Sequence, residues 1–202
     1  DMFDEPFADS SQIPMYLVSK IAKTKVTVCL SGDGGDELFG GYNRYLVASK
    51  LWNKISKIPK PGKSVLAYII KSLKPSSWDK ISDLLYKNKY SNLGYKLHKG
   101  ADSLRSKNID DLYFNLISNI KNPTEWLINS EEYSNTNYNF DSKISGIERM
   151  MIKDLVGYLP TDILTKVDRA SMAVSLEVRT PLLDKEIVKF ALTLPEEYQI
   201  KA

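Results

Sequence analysis

Cysteine and histidine are nearly absent: the chain has one of each, Cys29 and His98. A lone cysteine excludes an internal disulfide framework and suits a reducing compartment, with the cytoplasm as the default. The same scarcity excludes a zinc site, because neither residue has a companion ligand at metal-binding spacing. His98 reads as a surface residue. Cys29, set among apolar neighbours, reads as a buried structural thiol and not a nucleophile. Long apolar runs are missing too. The longest, Val65 to Ile70, falls far short of the roughly 20 residues that cross a bilayer. The acidic opening DMFDEPFADS has no signal-peptide character, and the missing initiator methionine fits an excised piece of a longer protein. There is no internal repeat.

What remains is ordinary for a soluble globular protein, with 43% hydrophobic and 26% charged residues in 202. That length suffices for one domain or a large part of one. The net charge of +3 hides an uneven distribution. Lys50 to Gly100 holds twelve lysines and no arginine against Asp79 and Asp83, a net of +10, while the flanking stretches are mildly acidic. Readers of phosphate or bases usually mix in arginine, so these scattered lysines are expected to form a solvated face, with no nucleic-acid or membrane partner.

Helical spacing at Ile13, Leu17 and Ile21 predicts a helix entered near Asp9 or Ser10, with Pro14 tolerated only in its first turn. KVTVCL predicts a short buried strand of a parallel sheet. From Asp36 the pattern predicts one helix running through Leu38, Phe39, Tyr42, Tyr45 and Leu46. KIPKPGKS reads as a proline-punctuated loop, Val65 to Leu73 as a helix, and the stretch beyond as short helices broken at Pro75, Gly94, Gly100 and Pro123. SEEYSNTNYNFD reads as a polar connection. Ile147, Met150, Met151 and Leu155 predict a helix that ends near Pro160 and restarts at Thr161 or Asp162. LEVRTPLLD reads as extended, and Asp184 as the cap of a last helix. The expected class is α/β, helix-rich.

The stretch KVTVCLSGDGGDELFGGY crowds five glycines and three acids between an apolar and an aromatic run. Three readings compete. Ser31 to Phe39 nearly matches a calcium-solenoid nonapeptide, but one turn with no copy beside it cannot stack. A solvated surface turn explains the glycines alone. A strand ending in a glycine turn that opens a helix presents backbone N–H groups to an anion. Asp33, Asp36 and Glu37 would repel a bare phosphate, by roughly 1 to 4 kcal/mol per charge pair about 4 Å apart. A magnesium ion between acids and phosphate reverses that sign and accounts for both features. Other nucleotide motifs fail. The GKS of KPGKS lacks the required earlier glycine, since Lys57 stands there, and Glu37 breaks G-x-G-x-x-G after Gly32 and Gly34.

LSGDGGDELFGGY, preceded by DEPFADSSQIP and followed by LTKVDRASMAVSLEVRTPLLD, resembles the synthetase domain of the glutamine-hydrolysing asparagine synthetase family, which has the β-lactam synthetases among its relatives. The likeness covers Asp1 to Tyr45 and Tyr158 to Leu194, and no motif matches from Lys50 to Asp141. It implies a helix-rich C-terminal fragment, residues 1–202, of a parallel-sheet nucleotide-binding domain of the adenine nucleotide alpha hydrolase type.

The resemblance also implies an ATP- and Mg2+-dependent ligase. Aspartate would be activated as a β-aspartyl-adenylate and then attacked by ammonia drawn from glutamine. By resemblance Ser31, Gly32 and Asp33 lie beside the acyl-adenylate. Asp33 takes a proton from the attacking ammonia, Asp36 ligates magnesium–pyrophosphate, and Lys166 contacts the phosphates. Chemically, N–H groups, a metal and a lysine are the usual means of steadying a departing pyrophosphate. The family pattern carries Glu where this chain has Asp33, one methylene shorter. Its S-G-G-x-D-S loop and glutaminase domain have no counterpart in these residues, so the fragment alone is expected to be inactive, with a glutaminase domain and a second copy as its expected protein partners. An amidotransferase acting on another carboxylate, or a non-catalytic helical metal-binding module, would carry the same letters. Asp168, Arg169, Glu177 and Arg179, charged positions in an apolar segment, are expected to pair in the interior.

Overall fold

The computed structural model describes residues 2–86, 92–118 and 140–200. The expected break at Pro123 and most of the polar connection lie outside the described residues. The chain forms two compact units: residues 1–45 with 147–202, and residues 46–146.

The first unit opens with helix α1, Gln12–Lys23, whose Pro14 sits in the first turn as expected. Asp9, expected near the helix start, does not act as the formal cap. Its carboxylate instead accepts from the Ser11 N–H at 2.8 Å and the Ser11 hydroxyl at 2.7 Å, closing the turn before the helix. Strand β1, Val28–Leu30, pairs in parallel with β2, Glu177–Arg179, with Cys29 opposite Val178. Parallel strands are normally covered on both faces. Here Val28 and Leu30 remain 39% and 71% exposed, so the expected buried strand is only half covered, and Cys29 is half-buried.

The single helix expected from Asp36 is two. α2, Gly35–Leu38, stops at Phe39, and α3 begins at Asn43 and runs to Ile55. Gly40, at φ +62°, turns the chain left-handed between them. α8, Gly146–Lys153, flows into a π-helix, Asp154–Leu164, and then into α9, Thr165–Met172. The break expected at Pro160 therefore does not occur. A wider i→i+5 turn tolerates a residue without an N–H. The hydroxyls of Thr161 and Thr165 take up the carbonyls of Gly157 (2.8 Å) and Pro160 (2.9 Å). A short 3-10 turn, Pro181–Leu183, leads to α10, Lys185–Thr193, where the Asp184 carboxylate accepts from the Glu186 N–H at 2.9 Å as a true cap. α11, Glu196–Gln199, closes the unit. α1 and β2 pack on α9, while α2 packs on the π-helix and α10.

The second unit holds the rest of α3 with α4, Lys60–Ser72; α5, Pro75–Tyr86; α6, Leu93–Ser103; and α7, Ile109–Ile117. Pro61 and Pro75 fall in first turns, where a missing N–H costs nothing, so both start helices where the sequence suggested a loop and a break. Gly94 and Gly100 lie within α6. Ile55, Ala67, Ala101, Leu104 and Leu112 form the core, with Leu51, Trp52, Ile70 and Leu116 against it. Lys50, Lys54, Lys57, Lys60, Lys71, Lys74, Lys80 and Lys96 are exposed, while Lys63 and Lys99 are half-buried, so most but not all of the described lysines face solvent as expected. His98 is half-buried, with a ring nitrogen 2.8 Å from the Leu73 carbonyl oxygen. Among the described residues no helix is long and apolar enough to cross a membrane.

Candidate functional site

The glycine–acid loop lies in the first unit, directly after β1. The Ser31 N–H donates to the Arg179 carbonyl at 2.9 Å, which carries the ladder one residue past the strand and fixes where the loop starts. The Ser31 hydroxyl then donates to Asp33 Oδ2 at 2.7 Å, and Gly35 N–H closes the turn on the Gly32 carbonyl at 3.2 Å. Gly34, at φ +89°, caps α2, and a Cβ there would strike Leu183. Gly32 shows the opposite: a Cβ built on it meets no atom within 4 Å. The loop is thus braced on one side and open on the other, so a ligand can approach its backbone. Asp33 is half-buried, and Asp36, in the first turn of α2, is exposed with its carboxylate against Gly41.

Lys166 belongs to the first turn of α9 and is only 9% exposed. A buried ammonium needs a counter-charge. Asp9 supplies it, with Lys166 Nζ donating to Asp9 Oδ2 at 2.6 Å. Burial pushes the Asp9 carboxyl up, but the hydrogen bonds from Lys166 and Ser11 outweigh it and hold the group at about 2, ionised.

Four side chains on the π-helix and α9, namely Asp154, Tyr158, Asp162 and Lys166, recur at intervals of four residues. Asp154, 1% exposed, accepts from Arg44 Nη2 at 2.6 Å and from the Tyr45 hydroxyl at 2.7 Å. The Arg44 guanidinium lies 4.0 Å from the Tyr42 ring centroid and 4.6 Å from that of Tyr158, a cation between two aromatic faces. The Tyr42 hydroxyl donates to Glu37 Oε1 at 2.8 Å, and Glu37 is 2% exposed. Tyr158 interacts electrostatically with Asp162 and with Asp9, and Asp162 with Asp9 and Lys166. Burial, then the charge of Asp9, raises the Asp162 carboxyl above its ordinary value. Burial, then Asp162, raises Tyr158, and burial, then the Glu37 hydrogen bond, raises Tyr42. Polar side chains therefore follow one another from Glu37 through Tyr42 and Arg44 to Tyr158, and from Asp9 to Lys166, with Asp162 coupled by charge to both Tyr158 and Asp9.

Of the five residues singled out from sequence, Ser31, Gly32 and Asp33 stand together, with Asp36 one short helix turn away. Lys166 pairs with Asp9 and, among the described residues, with neither Asp33 nor Asp36. α2 and α9, which carry Asp36 and Lys166, both pack on the π-helix. Asp9, Tyr42, Arg44, Asp154, Tyr158 and Asp162 were not singled out. For Asp154, Tyr158 and Asp162 the four-residue recurrence with Lys166 was the one available signal, and it is masked because it drifts off a 3.6-residue helix face; Asp9, Tyr42 and Arg44 had none. The interior pairing expected of Asp168, Arg169, Glu177 and Arg179 does not occur. Asp168 is exposed, Arg169 bonds exposed Asp4 at 2.8 Å, and Arg179 bonds Glu177 at 2.7 Å on the open sheet face.

Among the described residues no three His, Cys, Asp or Glu side chains converge as a metal cage. Magnesium does not require one, since it takes one or two carboxylates and completes its shell with water and phosphate oxygens. Asp36, exposed beside an open backbone, fits that mode.

A strand, a braced glycine turn and a buried, paired lysine are set together in a helix-rich α/β fold. The chain belongs to the asparagine synthase family, whose model matches residues 1–202, including the middle stretch where no motif was legible. It is 32% identical over 206 residues to "Asparagine synthetase [glutamine-hydrolyzing] 1" of Bacillus subtilis, a match covering 98% of this chain and 30% of that protein. It is 31% identical over 192 residues to a putative glutamine-hydrolysing asparagine synthetase of Mycobacterium bovis, covering 95% of this chain and 28% of that one. A 59-residue stretch is 52% identical to a putative asparagine synthetase of Methanocaldococcus jannaschii, covering 29% of this chain and 11% of that one. The chain spans under a third of the length of these relatives. No solved structure matches it significantly.

Proposed function

We propose that this chain forms the pyrophosphate side of an ATP-driven, cytoplasmic amide ligase that makes asparagine from aspartate with ammonia taken from glutamine. The names of the relatives and the match over all 202 residues support the reading. The observation that carries it is the buried Lys166 of α9, held by Asp9 and charge-coupled through Asp162 to the Tyr158–Arg44–Tyr42 group that hydrogen-bonds Glu37, neighbour of Asp36 in α2.

In this reading a β-carboxylate oxygen of aspartate attacks the α-phosphorus of ATP, and pyrophosphate departs. Ser31 and Gly32 line the acyl-adenylate side. Lys166 meets the phosphate charge with the donor capacity it does not spend on Asp9. Asp36 would hold Mg2+, which when bound neutralises phosphate charge that the acids would otherwise repel. Ammonia then attacks the acyl carbon, AMP leaves, and Asp33, aimed by the Ser31 hydroxyl, takes the proton from the nitrogen. Aim matters most where the side chain is a methylene shorter than Glu. Glutamine hydrolysis and the S-G-G-x-D-S loop belong to residues beyond these 202, so the segment alone makes no asparagine.

Equilibrium dialysis of magnesium pyrophosphate against the full-length protein tests the reading. Asp36→Ala and Lys166→Met should each bind about tenfold more weakly, the effect of losing a charge-assisted contact of ~1.5 kcal/mol. Retention equal to wild type in both variants would overturn it.

A further inference from the structure

We propose that Asp9, on the loop before α1, is a positioning residue for Lys166: it anchors the ammonium at a fixed point so that the lysine's remaining donors face the departing phosphates. This deepens the proposed function and rests on Lys166 having that role.

Lysine is a flexible four-carbon stem ending in a point charge, and it aims poorly unless something holds it. Asp9 is well placed to do so, because the carboxylate is itself pinned. Oδ1 accepts from the Ser11 N–H, and Oδ2 accepts from both the Ser11 hydroxyl and Lys166. The Ser11 N–H belongs to the turn that opens α1, and α1 packs along α9, so holder and held are mounted on one rigid helix pair. The contact closes a span of 157 residues between two segments that show no affinity by local pattern. Asp162, one helical turn before Lys166, is charge-coupled to both Asp9 and Lys166 and to Tyr158, on which Arg44 is stacked. Burial and the nearby Asp9 charge favour the protonated form of Asp162. Among the described residues, Asp9 is the carboxylate to which Lys166 donates. The remaining ammonium protons are the ones available to a ligand. A surface ion pair would not behave this way, since most of its energy is lost to solvent, but here Lys166 and Asp9 side chains are 11% and 21% exposed.

The test is a double-mutant cycle on ATP–pyrophosphate exchange, driven by aspartate, in the full-length protein. Asp9→Asn should lower the exchange kcat about 10- to 100-fold, the usual cost of misplacing a group by an ångström, with KM for ATP changed under about threefold. Combined with Lys166→Met, it should cause no further loss, because the two residues act as one unit. Asp9→Glu keeps the charge but moves it by a methylene, and it should give an intermediate rate. Should Asp9→Asn fail to fold, Asp9→Glu decides the matter: a wild-type rate, or losses that multiply with those of Lys166→Arg, overturn the inference. If Lys166→Met abolishes exchange while a folded Asp9→Asn exchanges normally, the positioning role falls and the functional reading stands. If Lys166→Met exchanges normally, the functional reading itself falls, and this inference with it.

Discussion

The two units of this chain are built on different kinds of contact. In the lysine-rich second unit, helices close in sequence pack on one another, α4 and α5 on α6, and α6 on α7. Its polar contacts are short-range too: Trp78 Nε1–H reaches the Ile70 carbonyl at 2.9 Å, and Asp79 accepts from Gly94 N–H at 2.8 Å. In the first unit the decisive contacts join residues more than 100 positions apart, Tyr45 and Arg44 to Asp154, and Lys166 to Asp9. Helical hairpins build a scaffold cheaply because little loop entropy is lost before they pack. A site needs side chains from distant segments, and here the crossover between β1 and β2 supplies them.

Core damage gives the largest contrast. Leu112, fully buried in the second unit, should cost about 2–5 kcal/mol on truncation to alanine. Native-state amide exchange should show the loss of protection concentrated in α6 and α7, with β1 and β2 affected less. Equal loss in both units would mean that the division is not an energetic one. A backbone perturbation should give an intermediate effect confined to the first unit. Gly34→Ala places a side chain at φ +89° and against Leu183, at a cost of about 1–3 kcal/mol in chemical denaturation. A neutral outcome would show that the turn relaxes freely and does not brace the loop.

Acid gives the smallest and most selective difference. The native Asp9 carboxyl sits at about 2 against an ordinary 3.8, so the folded state favours its ionised form. The stability this contributes is fully present above pH ~4 and is lost as the pH falls toward 2. Denaturation followed across that window should show a slope that Asp9→Asn flattens, while protection of the second-unit amides changes little. A slope unchanged by the substitution would separate the ion pair from the stability of the unit.

Several local signals were legible. Pro14 in a first turn, Asp184 as a cap and the strand before the glycine loop all follow from one residue and its neighbours. The glycine–acid loop with Ser31 and Asp33 was legible for the same reason. The split of α2 from α3 was not, because Phe39 and Tyr42 continue an apolar period across glycines that break the backbone. β2 was seen only as extended, since three residues cannot show an alternation that specifies pairing. The network around Lys166 was invisible because ion pairs across more than 100 residues leave no spacing to read, and because Asp9 and Asp162 each look like ordinary helix starters.

The wide-turned stretch from Asp154 to Leu164 works as a gear between two windings of one rod. In a tight helix of 3.6 residues per turn, three successive four-residue steps would swing round by about 120°, enough to carry Lys166 away from the side that Asp154 occupies. Slackening the winding makes each of those steps fall short of a full turn instead, which offsets part of that swing. Gain or loss of a single residue there would act as a rotation of everything downstream, so this short run tolerates changes of composition far better than changes of length.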